Sequence, residues 1–301
     1  MPSTGKVALG VAAAALLAGT AACGSSGSGG PADGRGDDSG EAAFDAVAAA
    51  AETTREVTSA RFTAEMRSPE AMGGDVAMTG AMTWESELAM DLTVSGPALA
   101  AEPAAPEEMP VVWADDVMYI ELGEEFAAEF DGRSWMAMDL MALAEETGDE
   151  TIADTMSFGL DSANQDPAQQ LALLLESPEI ELVGEETLDG AEVNHYRGTI
   201  STEDALESNG GADFLTEEER GQLVDAMGEQ GIDSYHLDVW VGEDDLPVQI
   251  HQSYDTGAGP VEYEVRYSDF GTDVTVETPA ADATVDFMEL LDELQAGMDL
   301  G

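Results

Sequence analysis

Alternation of apolar and polar residues restricts the fold of this chain more than any other feature of its sequence. Apolar side chains occupy every second position in Arg61–Arg67, again in Val76–Trp84, and a third time in Leu88–Val94 after a short turn. Successive side chains of a β-strand point to opposite faces of the sheet, so a period of two predicts strands with one buried face. These segments therefore predict an antiparallel meander.

Further strand-like segments follow along the chain, and Gly or Asp marks most of the reversals between them, as tight turns require. They are Val111–Trp113, Val117–Leu122, Arg133–Leu140, Glu179–Val183, Val193–Ser201, Ser234–Val241, Pro247–Tyr254, Val261–Tyr267 and Val274–Glu277. The pattern predicts about ten strands in all.

Helical signals are fewer. Apolar spacing predicts an amphipathic helix over 41–56 and another over 283–298, with Val285 on the apolar stripe of the second. Asp166 precedes Pro167 in a typical N-terminal capping arrangement, and a capping box at Thr216 predicts a helix that ends near residue 227. Three or four helices are thus expected beside the strands.

The segments between these elements predict one continuous domain. Residues 95–110 contain four Pro and predict a loop, whereas 141–165 predict helical turns and loop. No repeat with a period of 20–50 residues is present, which argues against solenoids and propellers. Residues 41–301 are therefore predicted to form a single α+β domain.

The N-terminus has the pattern of a bacterial lipoprotein signal. Residues 1–22 begin with one cation, Lys6, followed by an apolar run that is too short to span a membrane. Small residues then lead directly to Cys23, the only cysteine, in a sequence that resembles a lipobox. Cleavage there would make Cys23 the acylated N-terminus, and multiple acyl chains anchor a protein firmly. The alternative is an ordinary secretory signal with a chance cysteine.

Residues 24–40 predict a flexible tether. This stretch has seven Gly and four Ser among its 17 residues and cannot bury apolar surface. Its mean reach is roughly 20–25 Å. Together, residues 23–40 would hold the domain close to the extracytoplasmic face of the cell membrane.

Charge excludes several classes of partner. The chain has 64 Asp plus Glu against 9 Lys plus Arg, for a net charge of −55. No basic face is available for nucleic acid, and no polybasic patch for anionic headgroups. Lys6 is the only lysine, so a chain without residues 1–22 has none for Schiff-base or phosphoryl-transfer chemistry.

Catalytic and metal-binding motifs are absent from the sequence. The three histidines, His195, His236 and His251, have no zinc-ligand spacing and are interpreted as ordinary strand residues. No nucleophile elbow or phosphate-binding glycine loop occurs. Paired carboxylates are too frequent in so acidic a chain to identify a site, so solvated surface is favoured over loose calcium binding. We therefore predict no enzyme, no catalytic residue, no metal site and no cofactor.

Methionines are concentrated on or near the predicted sheet. Methionine fills irregular volumes and suits surfaces that accept varied apolar ligands, although plain core packing explains the same pattern. The candidate wall positions of a ligand cavity are Phe62, Met66, Met78, Met82, Leu88, Met90, Val117 and Tyr119.

The C-terminal half resembles a known family. Val239-Trp240-Val241 with Leu246-Pro247-Val248, then Tyr267–Gly271 with Val274, Val276 and Pro279, is similar to the LppX/LprAFG-like lipoproteins of actinobacteria, whose fold is like that of the LolA/LolB carriers. Asp189-Gly190 before His195-Tyr196 and Thr199, and Gly132-Arg133 before Trp135, fit the same group. The resemblance implies a strongly curved antiparallel half-barrel with helices over its concave face. It also implies an apolar cavity that holds lipid or acylated glycolipid.

The predicted function is a membrane-anchored, extracytoplasmic lipoprotein that binds or carries lipid or acylated glycolipid. The high acidity makes anionic glycolipids less suitable, because like charges repel. Two alternatives stay open: a cell-surface interaction or scaffold lipoprotein with a filled core, and a hydrolase of envelope material that uses scattered carboxylates.

Overall fold

One β-sheet organises the described part of the protein. The computed structural model describes residues 36–85, 87–100, 106–139, 142, 166–208 and 216–290. In these residues twelve strands are present: β1 Ser59–Arg67, β2 Val76–Thr83, β3 Ala89–Ser95, β4 Glu108–Ala114, β5 Val117–Glu121, β6 Trp135–Asp139, β7 Glu181–Leu188, β8 Ala191–Ser201, β9 Ser234–Gly242, β10 Pro247–Thr256, β11 Gly259–Ser268 and β12 Thr284–Asp286.

The strands follow the order β12-β6-β5-β4-β3-β2-β1-β11-β10-β9-β8-β7. Every neighbouring pair is antiparallel except β12 and β6, which run parallel. Because β7 and β12 lie at opposite ends of this order, the sheet does not close into a barrel. The predicted α+β class, with a mostly antiparallel open sheet and helices, is confirmed.

Six α-helices accompany the sheet in the described residues: α1 Gly36–Glu56, α2 Pro97–Ala100, α3 Gly123–Glu129, α4 Pro167–Leu175, α5 Thr202–Ser208 and α6 Glu217–Glu229. Short 3₁₀ turns occupy Glu70–Met72 and Ala281–Ala283. No helix in the described part of the chain combines the length and the apolar run that crossing a membrane requires.

The predicted helix starts are largely confirmed. Asp166 caps α4 through its carboxylate, which accepts a hydrogen bond of 2.9 Å from the Gln169 amide. Helix α1 begins at Gly36 and so extends five residues beyond the predicted start at 41. The added turn contains two Asp and one Ser, residue types that favour the positive end of the helix dipole.

Two predictions near the C-terminus are wrong. Residues 274–277 form no strand, because the chain leaves the sheet at the end of β11, after Ser268, and residues 272–280 have no regular structure. Thr284–Asp286 belong to strand β12, so Val285 does not lie on a helical stripe as predicted. A helical turn follows at 287–290, and the rest of the predicted helix lies outside the described residues. The predicted turns and loop at 141–165 also lie outside them, apart from residue 142.

The core lies between one face of the sheet and helices α1 and α4. Val47 of α1 and Leu171 and Leu174 of α4 have no exposed surface, and they pack with Ile200, Val239 and Val265 of the sheet. Full burial of each such side chain contributes about 1.5–3 kcal/mol. Helix α1 contacts α4 and β7, whereas α4 contacts β8, so this packing fixes the helices over the β7–β8 end of the sheet.

Candidate functional site

An open cleft of about 1090 Å³ lies at the β7–β8 end of the sheet. Three segments line it: Ser39–Phe44 of helix α1, Ser177–Leu182 from the turn after α4 into strand β7, and Tyr196–Thr199 of strand β8. This volume is slightly above the range found for small-molecule sites, about 300–1,000 Å³. The cleft is therefore large enough for an elongated ligand.

Close packing fixes the base of the cleft. Ser177 Oγ lies 2.8 Å from the Glu179 carbonyl oxygen and accepts a hydrogen bond of 3.1 Å from the Thr199 amide. Opposite Ser177, Gly198 leaves so little space that a Cβ on it would lie 2.8 Å from the Ser177 Cβ. The turn between α4 and β7 is thus held directly against strand β8.

Apolar side chains face the cleft at two depths. Ile180 and Tyr196 are each only 6 % exposed and belong to the core, whereas Phe44 and Leu182 are 44 % and 48 % exposed. Large exposed hydrophobic residues are unremarkable when they are scattered singly, but these two line the same cleft. The cleft therefore offers an accessible apolar surface that continues into the core.

A register shift in strand β7 contributes to this exposure. The pairing of β7 with β8 slips between Leu182 and Gly184, which leaves Val183 as an extra residue. Val183 is 42 % exposed, next to the exposed Leu182. Because β7 is also an edge strand, its outer side has no neighbouring strand among the described residues.

Four charged residues are also among those that line the cleft. Glu41, Glu179 and Glu181 are exposed lining residues, and Arg197 is the one cation among the described residues that line the cleft. The Arg197 Nε donates a hydrogen bond of 2.7 Å to Asp238 Oδ1. This bond does not involve the two terminal nitrogens of the guanidinium. The Arg197 side chain is about half exposed.

Behind Arg197, a hydrogen-bonded network occupies the face of the sheet opposite the helices. Its centre is His195, which is 4 % exposed. The ring nitrogens of His195 lie 2.8 Å from Glu186 Oε1 and 2.6 Å from Asp238 Oδ1. Both ring nitrogens of His195 thus have a carboxylate oxygen as partner. Asp238 therefore joins His195 to Arg197 and holds the Arg197 side chain on this face of the sheet.

Trp240 completes the network. Its indole Nε1 donates a hydrogen bond of 2.9 Å to Glu186 Oε2, and its ring stacks on His195 with centroids 4.2 Å apart. The hydrogen bond from Trp240, together with the one from His195, lowers the pKa of Glu186 below its ordinary value of 4.5. Glu186 is thus held in its ionised form at neutral pH.

The structure places the eight predicted wall residues away from this cleft. Phe62 and Met82 are buried in the core, and Met78, Leu88 and Met90 are half-buried against it. Met66 is half-buried and pairs with Tyr263 of β11.

Val117 and Tyr119 lie on the other face of the sheet from the core. They alternate along β5 with Met118 and Ile120, which pack against the core. Cys23 lies outside the described residues.

Sequence reasoning missed the cleft residues. Helical spacing puts Phe44 on one apolar stripe with Val47, but in the structure Phe44 is exposed at the edge of that stripe, and Ala43 and Ala50 are buried beside Val47. The one available signal was the adjacent Leu182 and Val183, because two neighbouring apolar residues break the alternation of a strand.

No profile of a known protein family matches the chain. The chain is 28 % identical over 251 residues to an uncharacterised 31.2 kDa protein of Streptomyces griseus from the rplA–rplJ intergenic region, covering 81 % of this chain and 80 % of that protein. It is also 28 % identical over 237 residues to a protein of Streptomyces coelicolor that is named as a candidate lipoprotein, covering 76 % of this chain and 70 % of that protein.

Among solved structures, the chain is similar to the lipoprotein LppX of Mycobacterium tuberculosis, with a TM-score of 0.48 and 12 % identity over 79 % of this chain and 99 % of LppX. It is also similar to LprF of Mycobacterium bovis, with a TM-score of 0.45 and 13 % identity over 80 % of this chain and 98 % of LprF.

Proposed function

We propose that this protein is a membrane-anchored, extracytoplasmic lipoprotein that binds or carries a lipid without catalysing a reaction. The observation that carries the proposal is the cleft of about 1090 Å³, where the exposed Phe44 and Leu182 continue into the buried Ile180 and Tyr196. An acyl chain needs an apolar surface to cover it, and these four residues supply one within the cleft. Exposed apolar surface also loses its contact with water when a ligand covers it.

The position of the cleft fits an anchored protein. Helix α1, which supplies one wall, begins at Gly36, thirteen residues after Cys23. Thirteen residues span at most about 45 Å even when fully extended. Acylation at Cys23 would therefore keep the cleft near the membrane surface. The name of the Streptomyces coelicolor relative supports this proposal.

The half-buried residues beside the core are proposed as further ligand contacts. Met78, Leu88 and Met90 face the core from strand β2 and from the segment that enters β3, and Phe62 and Met82 lie next to them. Methionine side chains change rotamer readily, so this region of the core can adapt to an acyl chain that reaches inward from the cleft.

Binding is tested by native mass spectrometry of the protein extracted gently from membranes, together with transfer of a fluorescent phospholipid between vesicles. Phe44→Gln is expected to weaken lipid binding about fivefold, because the ring loses apolar contact with the ligand. Met72→Gln is the matched control, since Met72 is 47 % exposed and does not line the cleft. A protein without bound lipid and without transfer would instead favour a scaffold role.

Anchoring is tested separately. Cys23→Ala removes the only thiol that can be acylated, so the variant is expected in the soluble extracytoplasmic fraction rather than with the membrane. Metabolic labelling with a fatty acid should mark the wild type and not the variant. An unlabelled wild-type protein would contradict the anchor and would leave the binding result unaffected.

A further inference from the structure

We infer that the bound lipid carries an acceptor oxygen in the part that enters the core, and that the indole N–H of Trp84 donates a hydrogen bond to this oxygen. The inference rests on the proposed function, since it assumes that a lipid is bound. It comes from a buried donor: Trp84 Nε1 has less than 1 Å² of accessible surface and no hydrogen-bond partner among the described residues.

Trp84 lies on the face of the sheet that carries the core. It directly follows strand β2, and its side chain packs against the core, as do those of Leu88 and Met90. Met82 of β2 lies opposite Met90 of β3, and the same antiparallel register places Trp84 opposite Leu88. The indole therefore stands among the apolar side chains that are proposed as further ligand contacts.

Nearby protein groups leave this donor without an acceptor. The Thr58 carbonyl oxygen already accepts a hydrogen bond of 2.8 Å from the Trp84 backbone amide and one of 3.0 Å from the Thr83 hydroxyl. A carbonyl oxygen has two lone pairs, so both are used. The Leu and Met side chains beside the indole carry no oxygen. A buried indole N–H usually has a partner, because an unsatisfied donor costs free energy.

A buried donor within an apolar lining matches a ligand that has an isolated oxygen on an apolar chain. Leu88 and Met90 are half-buried, so accessible apolar surface remains beside the donor. A buried water needs about two to four polar partners, which the apolar side chains here do not supply. A lipid chain would instead cover Leu88 and Met90 while its oxygen accepts from Trp84. An ester carbonyl and a hydroxyl group on the chain both have this chemistry.

Two ligand comparisons test for the acceptor and identify its source. Dihexanoyl phosphatidylcholine is compared with its dihexyl ether analogue, which lacks the carbonyl groups. Octadecanoate is compared with derivatives hydroxylated near the carboxylate, at mid-chain or near the methyl end. In at least one comparison, competition with a fluorescent lipid should show about fivefold tighter binding of the ligand with the added oxygen. Equal affinities in both comparisons would overturn the inference and leave the proposed function intact, whereas no binding at all would count against both.

Matched variants assign the preference to one indole. Trp84→Phe keeps an aromatic ring and removes the donor, so it should weaken binding of the preferred ligand about fivefold and leave the ligand without the oxygen nearly unaffected. Trp240→Phe is the control, because the Trp240 indole donates to Glu186 on the opposite face of the sheet. A preference that survives in Trp84→Phe, or that Trp240→Phe removes to the same extent, would overturn the inference.

Nuclear magnetic resonance of the wild type gives a test that does not depend on the stability of a variant. In isotopically labelled protein, the Trp84 indole signal is assigned through its contacts with the Leu88 and Met90 methyl groups. Binding of the preferred ligand should move the indole proton downfield and slow its exchange with water, because the N–H then donates to the ligand. An indole signal that is unchanged by the bound ligand would show that the lipid supplies no acceptor and would overturn the inference.

Discussion

His195 has carboxylate oxygens on both ring nitrogens, and each partner comes from a different neighbouring strand. From the sequence it was interpreted as an ordinary strand residue, and it does lie in strand β8. Its partners are nine residues away at Glu186 and forty-three residues away at Asp238. Neither separation is a recognisable motif, because the contacts arise from the pairing of β7, β8 and β9. Periodicity predicts which residues share a strand and leaves the partners across strands undetermined.

The pKa of Glu186 leads to a pH prediction for this residue. Hydrogen bonds from Trp240 and His195 lower the pKa of Glu186 in the folded state below its ordinary value of 4.5. Ionised Glu186 therefore stabilises the fold at any pH above 4.5. This contribution should disappear as the pH falls below 4.5 and through the lower pKa of the folded state. We expect the wild type to melt at a higher temperature than Glu186→Gln at pH 7, with the difference shrinking toward pH 3.

Differential scanning calorimetry between pH 3 and 7 measures this difference. Glu185→Gln is the matched control, because it removes a carboxylate from the adjacent position of the same strand. A melting difference between wild type and Glu186→Gln that stays constant over the whole pH range would contradict the role assigned to the Trp240 and His195 hydrogen bonds.

At the scale of single elements, predictions from the sequence were correct where a local motif is compatible with only one kind of secondary structure. Asp166 followed by Pro167 predicted the start of α4, and the structure contains that cap. Val285 illustrates the opposite case, since a short apolar pattern fits a helix or a strand and the parallel pairing with β6 decides for the strand. The bulge at Val183 likewise depends on how β7 and β8 pair.

The cap of α4 gives an element-scale prediction. Asp166→Ala removes the acceptor of the Gln169 amide and should lower the free energy of unfolding by about 1 kcal/mol. Asp166→Ser keeps a capping oxygen and should retain most of the wild-type stability. Urea unfolding followed by circular dichroism measures both variants. If Ser fails to restore what Ala removes, the effect does not come from the cap.

At the scale of the whole molecule, the sequence predicted the class of the fold and not the order of the sheet. Strand β1 lies between β2, its neighbour in sequence, and β11, which comes about 200 residues later. The pairing of β2 with β3 follows from a short connection, whereas the pairing of β1 with β11 has no local signal. The cleft depends on a long-range arrangement of the same kind, because α1 meets the β7–β8 hairpin there from a distant part of the chain.

Charge acts on the whole molecule as well. Removal of residues 1–22 takes the net charge from −55 to −56, because Lys6 is the only charged residue in that segment. With 64 acidic and 9 basic residues, most carboxylates cannot have a basic partner. Many of the ion pairs that do form lie at the surface, such as Arg67 with Glu262, and solvent-exposed pairs of this kind add little to stability. Repulsion among carboxylates therefore opposes the compact state.

We expect the melting temperature to rise with salt, because the Debye length falls from about 30 Å at 0.01 M to about 8 Å at 0.15 M and repulsion is screened accordingly. Calorimetry in sodium chloride measures the rise, and tetramethylammonium chloride is the control for screening without specific cation binding. Similar curves in the two salts indicate general screening, whereas a rise in sodium chloride alone indicates bound cations. A melting temperature that is independent of salt would contradict the view that self-repulsion limits the stability of this protein.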